Sequence, residues 1–506
     1  MILRRLLLVL LAAAMAAPAS ATWSIIAVNV VTREVAVGCA TCINYADLAR
    51  NLPVVRPGLG VANIQSSGDV GGVRKPIIWQ GFEDHLPPSE ILKDIRELPW
   101  FQNLQLGIVS FDGPPVTFSG KGANAAVCNV AGQVGDLIYA IQGNLMTGPV
   151  VCSAAEAALL GTDGDLAERM MAAMQAARAM GGDARCSCPR PDPTTCGAPP
   201  PFFTYSAYSG FMIVSRIGDD EGVCSKTDGC AQGSYYFYKN IQNGPGDLDP
   251  IEELQQKYDN WRTKQKGRPD HLKSEVLVDR QQLVADGVTS ALVTVVLRDI
   301  DGVQLPSGGA NLSIVSNVSG TPTAIPGPVV DHGDGTYSFE LTATTTGGRG
   351  EWSIWVDFGA TTKDRLLWPP LGLETDALVD LHVGRYDLSA SEAAAIPFTL
   401  NRGASEAGRA YYVLGSYSGT VPGFDFQGIT VPLNRDPFLE FTWFGGGPPE
   451  FDGGHGSLDS TGRSEAWLDL DPSAWAALVG ERMDFCALFF GPTPQVSSLA
   501  SFWVIP

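Results

Sequence analysis

Apolar residues in the first part of the chain come in blocks of four to eight, broken by Gly, Pro and Asn or Asp. That is the pattern of short strands between turns. Residues 23–28 and 34–39 read as two strands joined near Thr32-Arg33, and residues 60–65 follow as a third after Arg56-Pro57-Gly58. Residues 89–98 predict a helix, with Pro88 before it and Glu90 in its first turn. Strands recur at 104–109 and 116–118. Residues 153–180 are rich in Ala, Met, Leu and Glu at helical spacing, with breaks near Gly161 and Gly164 and a stop at Gly181-Gly182. Another buried strand is expected at 210–215. Strands, then helices, then strands predict an α+β layered head rather than a βαβ repeat.

From residue 235 to 268 the chain turns polar, and residues 249–265 read as one helix. Beyond it the pattern becomes purely strand-like, at 276–278, 291–297, 310–315, 337–341 and 351–356, with Asp-Gly and Gly-Gly turns between. This is the signature of a β-sandwich. A second all-β block starts near Leu381, with strands at 411–414, 439–443 and 485–489. The expected organisation is a leader over 1–21, a head over 22–235 and a linker helix over 236–273. Two β-sandwich modules follow, over 274–380 and 381–506.

The 506 residues are 45% hydrophobic and 17% charged, which suits folded domains. Lys and Arg number 34 against 54 Asp and Glu, a net charge of −20, so nucleic acid is not an expected partner. Arg4 and Arg5, the apolar run from Leu6 to Ala17 and Ala19-Ser20-Ala21 read as a secretory signal peptide. Its apolar run is too short to span a hydrocarbon core of roughly 30 Å. The mature chain is therefore expected to be secreted, not membrane-spanning, and to begin at Thr22.

Ten cysteines fit an oxidising compartment. Cys186, Cys188, Cys196, Cys224 and Cys230 crowd into an insertion over 185–232 that is rich in Pro, Gly and Thr. Their spacing lacks the paired C-x2-C of zinc knuckles, so disulfides are expected, with Cys39 and Cys42 as further candidates and Cys486 as the odd thiol. The Cys39-Ala40-Thr41-Cys42 spacing ends a strand rather than opening a helix, which favours structural pairing over redox chemistry. No metal or cofactor is expected. Asp69-Val70-Gly71-Gly72 reads as a plain turn, and Asp299-Ile300-Asp301-Gly302 and Asp331 to Gly335 as hairpin turns. Trp443, Phe444 and Phe451 read as core rather than as a glycan-binding surface.

Several stretches together resemble the family called domain of unknown function 1028. They are Thr22 to Ala27, Val35-Ala36-Val37, Arg56 to Gln65, Gln142-Gly143-Asn144, and Leu166 to Arg169 with Ala179 to Asp183. The resemblance covers about residues 22–218 and implies an N-terminal-nucleophile hydrolase fold, a four-layer α/β/β/α sandwich. Cys39, Cys42 and the insertion after Asp183 depart from the family pattern. Asp286-Gly287, Leu297-Arg298-Asp299 and Asp334 to Tyr337 resemble bacterial Ig-like or invasin-type domains, and the last block resembles a carboxy-terminal β-module of exported bacterial proteins.

The resemblance implies a hydrolase of amide bonds in which the Thr22 hydroxyl is the nucleophile. Its free α-amine, with a pKa near 7.7–8.0, would be the base. Asn144 is the candidate oxyanion donor and Asp183 the candidate orienting group. Asn63 and Gln65, two apart on one strand face, and Arg56 are the substrate-binding candidates. A small amide or peptide is the expected substrate. The alternative is a non-catalytic surface or adhesion protein that keeps the hydrolase-like fold as a scaffold and binds a cell-surface or extracellular ligand through its β-modules.

Overall fold

The computed structural model describes residues 22–506 apart from positions 70, 124–125, 190–195, 284–289, 345, 360–363, 376–380, 392–394, 403–405, 446–449 and 461. The expected leader and the Asp286-Gly287 turn lie outside the described residues. The chain divides into two compact units, the first ending at Lys264 and the second running from Gln265 to Pro506.

The first unit opens with an antiparallel hairpin of β1 (Thr22–Asn29) and β2 (Val35–Thr41). A short α1 (Leu48–Asn51) leads to β3 (Pro53–Arg56) and β4 (Gly60–Ser66), then to α2 (Arg74–Glu83) and α3 (Pro88–Arg96). Next come β5 (Leu104–Ser110), β6 (Val116–Ser119), β7 (Cys128–Val134) and β8 (Leu137–Asn144). Helices α4 (Val150–Gly161), α5 (Leu166–Ala179) and the one-turn α6 (Ala184–Ser187) precede β9 (Ser209–Ser215), β10 (Phe237–Gln242) and α7 (Pro250–Gln265).

These strands make a six-stranded sheet in the order β10-β9-β2-β1-β8-β7 and a four-stranded sheet in the order β3-β4-β5-β6. The sheets face each other through β1, β2 and β8 on one side and β4 and β5 on the other. Helices α4 and α5 pack on the first sheet, and α2 and α3 on the second. Strand periodicity assigns the faces. Ile26, Val28, Val37, Val61, Val109, Ile138 and Ala140 fill the space between the sheets, whereas Ala62, Ile64, Leu106 and Ile108 meet Ile78, Phe82 and Ile91 of the helices. Because both faces of the central strands are covered, β1 and β2 are buried at every position and read as near-continuous apolar runs. Gly38 lets α5 come close: a Cβ there would stand 2.5 Å from the sulfur of Met174.

The expected breaks in the long helical stretch separate α4 from α5. Asp165 caps α5 in a capping box with Glu168. The segment read as a linker instead belongs largely to the first unit. Phe237 and Ile241 are buried while Tyr238 and Gln242 are exposed, so β10 is an ordinary edge strand paired to β9. Tyr258 and Trp261 of α7 pack on Phe237.

In the second unit, one pair of facing sheets is built around Ser290–Val296 and Thr336–Ala343 on one side and Gly348–Asp357 and Asn311–Ser316 on the other. A second pair is built around Ile396–Asn401 with Arg463–Leu468, and Arg482–Phe489 with Ala410–Ser416. Both interiors are apolar, centred on Trp352, Phe339 and Tyr337 in one and on Phe398, Phe485 and Trp475 in the other. The strand expected at 439–443 is helical instead. Asp436 accepts the Leu439 N–H at 2.8 Å and Pro437 takes the first helical position, so Pro437–Glu440 forms a turn of α-helix that continues as a π-type turn over Phe441–Gly445. Phe451 is core as expected, but Phe444 is 83% exposed. Asp299, Asp331 and Asp334 accept backbone N–H groups of their own turns.

Candidate functional site

At one end of β1 the space between the sheets changes from apolar to polar. Thr22 and Ser24 continue the face that carries Ile26 and Val28. Opposite them stand Asn63 and Gln65 of β4, Gln105 of β5, and Gln142 and Asn144 of β8, all buried. Gln65 is the hub. Its Nε2 donates to the Thr22 carbonyl at 2.8 Å and to Gln105 Oε1 at 2.7 Å, and its Oε1 accepts from Asn63 Nδ2 at 3.2 Å. Gln105 Oε1 also accepts from Asn144 Nδ2 at 2.9 Å, while its Nε2 donates to the Gly143 carbonyl at 2.9 Å and to Ser119 Oγ at 2.8 Å. Gln142 donates to Ser24 Oγ at 2.7 Å. Gly107 makes room for it, since a Cβ there would lie 2.5 Å from Gln142 Oε1. Buried amides need partners, and here they mostly supply one another.

Thr22 is 2% exposed, and its hydroxyl lies 3.4 Å from Thr41 Oγ1 on the neighbouring strand. Arg185 Nη2 donates to Thr41 Oγ1 at 3.3 Å and to Asp183 Oδ2 at 2.7 Å. The buried Asp183 carboxylate also accepts the Cys42 N–H at 2.8 Å and the Arg185 N–H at 3.1 Å. Among the described residues, Asp183 reaches Thr22 through Arg185 and Thr41. The Cys42–Cys186 disulfide ties β2 to α6 beside this chain of contacts.

Thr22 and Gln65 line a cleft of about 450 Å³, which Ser66, Asp69, Gly72, Lys75 and Lys226 also border. Asp69, Gly71 and Gly72 of the loop read as a plain turn therefore border the cleft, with Asp69 accepting the N–H groups of Arg74 and Lys75 at 3.1 Å each; Val70 lies outside the described residues. Lys75 is 6% exposed, and its ammonium donates to the carbonyls of Arg50 and Asn51 at 3.3 and 3.0 Å. Burial pulls its pKa below the ordinary lysine value, partly offset by Asp69.

Of the residues singled out from sequence, the structure brings together Thr22, Gln65, Asn63 and Asn144, with Asp183 behind them. The Asn144 Nδ2 donates one of its two protons to Gln105 Oε1, and its Oδ1 receives no hydrogen bond. Arg56 is elsewhere. It pairs with Gly60 at the opposite end of β4, donates to both Glu221 carboxylate oxygens at 2.9 Å, meets Glu83 and lies over the Trp79 ring. It braces the insertion against α2. Gln105, Thr41, Arg185 and Lys75 escaped the sequence reading. A period-two reading of β5, which puts Gln105 on the face of Val109, would have found the first; the others carry no local signal.

Four disulfides are present: Cys42–Cys186, Cys128–Cys152, Cys188–Cys196 and Cys224–Cys230. Pairing of Cys39 with Cys42 is corrected. Cys39 faces the inter-sheet core as a free thiol, with Asn63 Nδ2 3.9 Å away, and burial pushes its pKa up. Cys486 is the other free thiol, as expected.

Residues 22–188 match the family of unknown function DUF1028, and residues 270–364 match invasin domain 3. The first match lies within the first unit and the second in the first of the two sandwiches of the second unit. It is similar to a crystal structure of a DUF1028 protein from Silicibacter pomeroyi, at 17% identity and a TM-score of 0.34, over 48% of this chain and 89% of that one. It is also similar to the Yersinia pseudotuberculosis adhesin InvE, at 17% identity and a TM-score of 0.18, over 46% of this chain and 58% of that one. For invasin, a bacterial integrin-binding protein, the values are 12% and 0.18, over 80% and 56%. The chain therefore spans little more than half the length of these last two proteins. No protein of curated function matches it. No described helix is long and apolar enough to cross a membrane.

Proposed function

We propose that the first unit is an exported hydrolase of amide bonds of the N-terminal-nucleophile class, built as a four-layer α/β/β/α sandwich. The observation that carries this reading is the position of Thr22, which opens the central strand β1 and borders the cleft while its carbonyl is held by Gln65. Removal of residues 1–21 would free its α-amine. The hydroxyl would then attack the substrate carbonyl and pass its proton to the amine, which returns it to the leaving nitrogen. Water would hydrolyse the resulting ester and restore the hydroxyl. In this scheme Asn144, opposite Thr22 in the β1–β8 register, is the oxyanion donor through the second proton of its Nδ2, and its Oδ1 is free to accept from the amine. Asp183 acts as a positioning residue through Arg185 and Thr41. No cofactor enters the scheme.

The expected outcome is turnover of an amide or peptide that rises through an apparent pKa near 7–8, survives in part in Thr22→Ser and is lost in Thr22→Ala. Full turnover by Thr22→Ala contradicts the assignment. The match to invasin domain 3 favours a second role for the other unit, binding an extracellular ligand. If a broad amide and ester screen finds no turnover in protein shown by mass to begin at Thr22, the whole chain is read as a surface-binding protein.

A further inference from the structure

The cleft that Thr22 borders also collects positive charge. Lys75 is buried, yet its ammonium is met only by two neutral carbonyls, and among the described residues no carboxylate pairs with it. Asp69 is nearby, but it is spent on the N–H groups of Arg74 and Lys75 and on the Arg74 guanidinium. Lys226 borders the same cleft, its stem lying against Gly72, and it too has no carboxylate partner among the described residues. The turn that carries Lys226 is closed by Cys224–Cys230 and docked on the rim, where Arg50 Nε donates to the Thr227 carbonyl at 2.8 Å. Asp228, on the same turn as Lys226, is turned onto Ser225 and Thr227 at 3.0 Å, and Asp47 accepts the Arg50 N–H and Asn240 Nδ2. Holding an ammonium out of water with only neutral partners is costly, and an anion entering the cleft offsets that cost.

We infer that this cleft selects substrates bearing a carboxylate, with Lys75 as the main specificity residue and Lys226 as a second, weaker one. The inference rests on the reading of Thr22 as nucleophile for the word substrate, but the anion site itself does not. The disulfide-bonded insertion is then part of the specificity apparatus, since it delivers one of the two lysines.

The test measures binding by calorimetry to Thr22→Ala protein beginning at residue 22, which cannot turn the probes over. The probes are glutaryl-p-nitroanilide and its neutral methyl ester. The acid should bind about tenfold to a hundredfold tighter than the ester, the range expected of a hydrogen bond to a charged partner. Lys75→Met should remove most of that preference, Lys75→Arg should retain part of it, and Lys226→Ala should lower it about two- to fivefold. Ester binding should stay constant across the series, which checks that the cleft is intact. Rising salt should weaken the acid alone. If Lys75→Met fails to fold, Lys226→Ala and the salt series decide.

Equal binding of acid and ester overturns the inference. So does an undiminished preference in both lysine variants, and so does the absence of binding by either probe at millimolar concentration. Tight binding of the acid, with no turnover by the Thr22 protein in a broad amide and ester screen, would sink the hydrolase reading and leave the anion site standing.

Discussion

The two ends of the space between the sheets of the first unit are built from the same four strands, yet hold in different ways. At one end Ile26, Val28, Val61, Val109, Ile138 and Ala140 pack without directional demands. At the other, Asn63, Gln65, Gln105, Gln142 and Asn144 donate to specific oxygens, and one of these is the Thr22 carbonyl. Burying methyl groups stabilises roughly in proportion to area, whereas an internal amide pair adds only about 0.5–1.5 kcal/mol net. The amide end therefore gives little extra stability but fixes where groups sit. The second unit, whose two sandwiches have apolar interiors, holds its sheets by the first means.

The largest expected effect lies where the polar end is clamped covalently. Replacing Cys42 and Cys186 together opens a link between residues 144 apart in sequence. This should cost about 4–5 kcal/mol if restriction of the unfolded chain sets its worth. It should also loosen Asp183, whose partner is the Cys42 N–H. Denaturant titration measures the loss, and thiol titration of unfolded, unreduced parent protein should give two free thiols, Cys39 and Cys486. A count of four or more would refute the pairing.

The next experiment separates the two ends directly. Gln105→Leu strands Asn144 Nδ2 and the Gly143 carbonyl and should cost about 2–4 kcal/mol. Ile26→Ala leaves a cavity and should cost a similar amount, about 2–4 kcal/mol. Their effects on Thr22 should diverge. Under conditions where both variants are folded, labelling of Thr22 should slow about tenfold to a hundredfold in Gln105→Leu, because the shell around its carbonyl has moved. In Ile26→Ala it should change little. Equal slowing in both would mean that the amides act only as core.

Much of this division was legible in the sequence. The alternation of β4 puts Asn63 and Gln65 on one face with Val61, and Gln142-Gly143-Asn144 marks the matching end of β8. Asp183 and Thr22 were also found, but their connection was not, because it passes through Arg185 and Thr41, distant in sequence until Cys42–Cys186 joins them. Lys75 shows nothing in its own window, since what matters is its burial beneath α1 carbonyls. Arg56 misled because a turn beside the motif lies at the wrong end of the same strand. The 439–443 segment misled because Asp436 and Pro437 overrule a strand-like run of aromatics.

A separate effect concerns the second unit and acid. Burial lowers the His382 pKa from 6.5 to about 4, so the folded state favours the neutral ring. The unfolded chain takes up its proton first as pH falls. The associated stability is therefore fully present above about pH 6.5 and is lost on the way down to about pH 4. Calorimetry of the full chain should show this slope, and His382→Gln should flatten it. An unchanged slope would place the acid sensitivity elsewhere.

The role proposed for Thr22, held by the amide end, is that of a nucleophile. It is tested most directly by treating protein that begins at Thr22 with an acylating β-lactone probe and locating the adduct by peptide mass spectrometry. One adduct is expected, on the Thr22 hydroxyl, lost in Thr22→Ala and when the α-amine is acetylated. An adduct elsewhere, or none on folded protein with a confirmed Thr22 terminus, would contradict it.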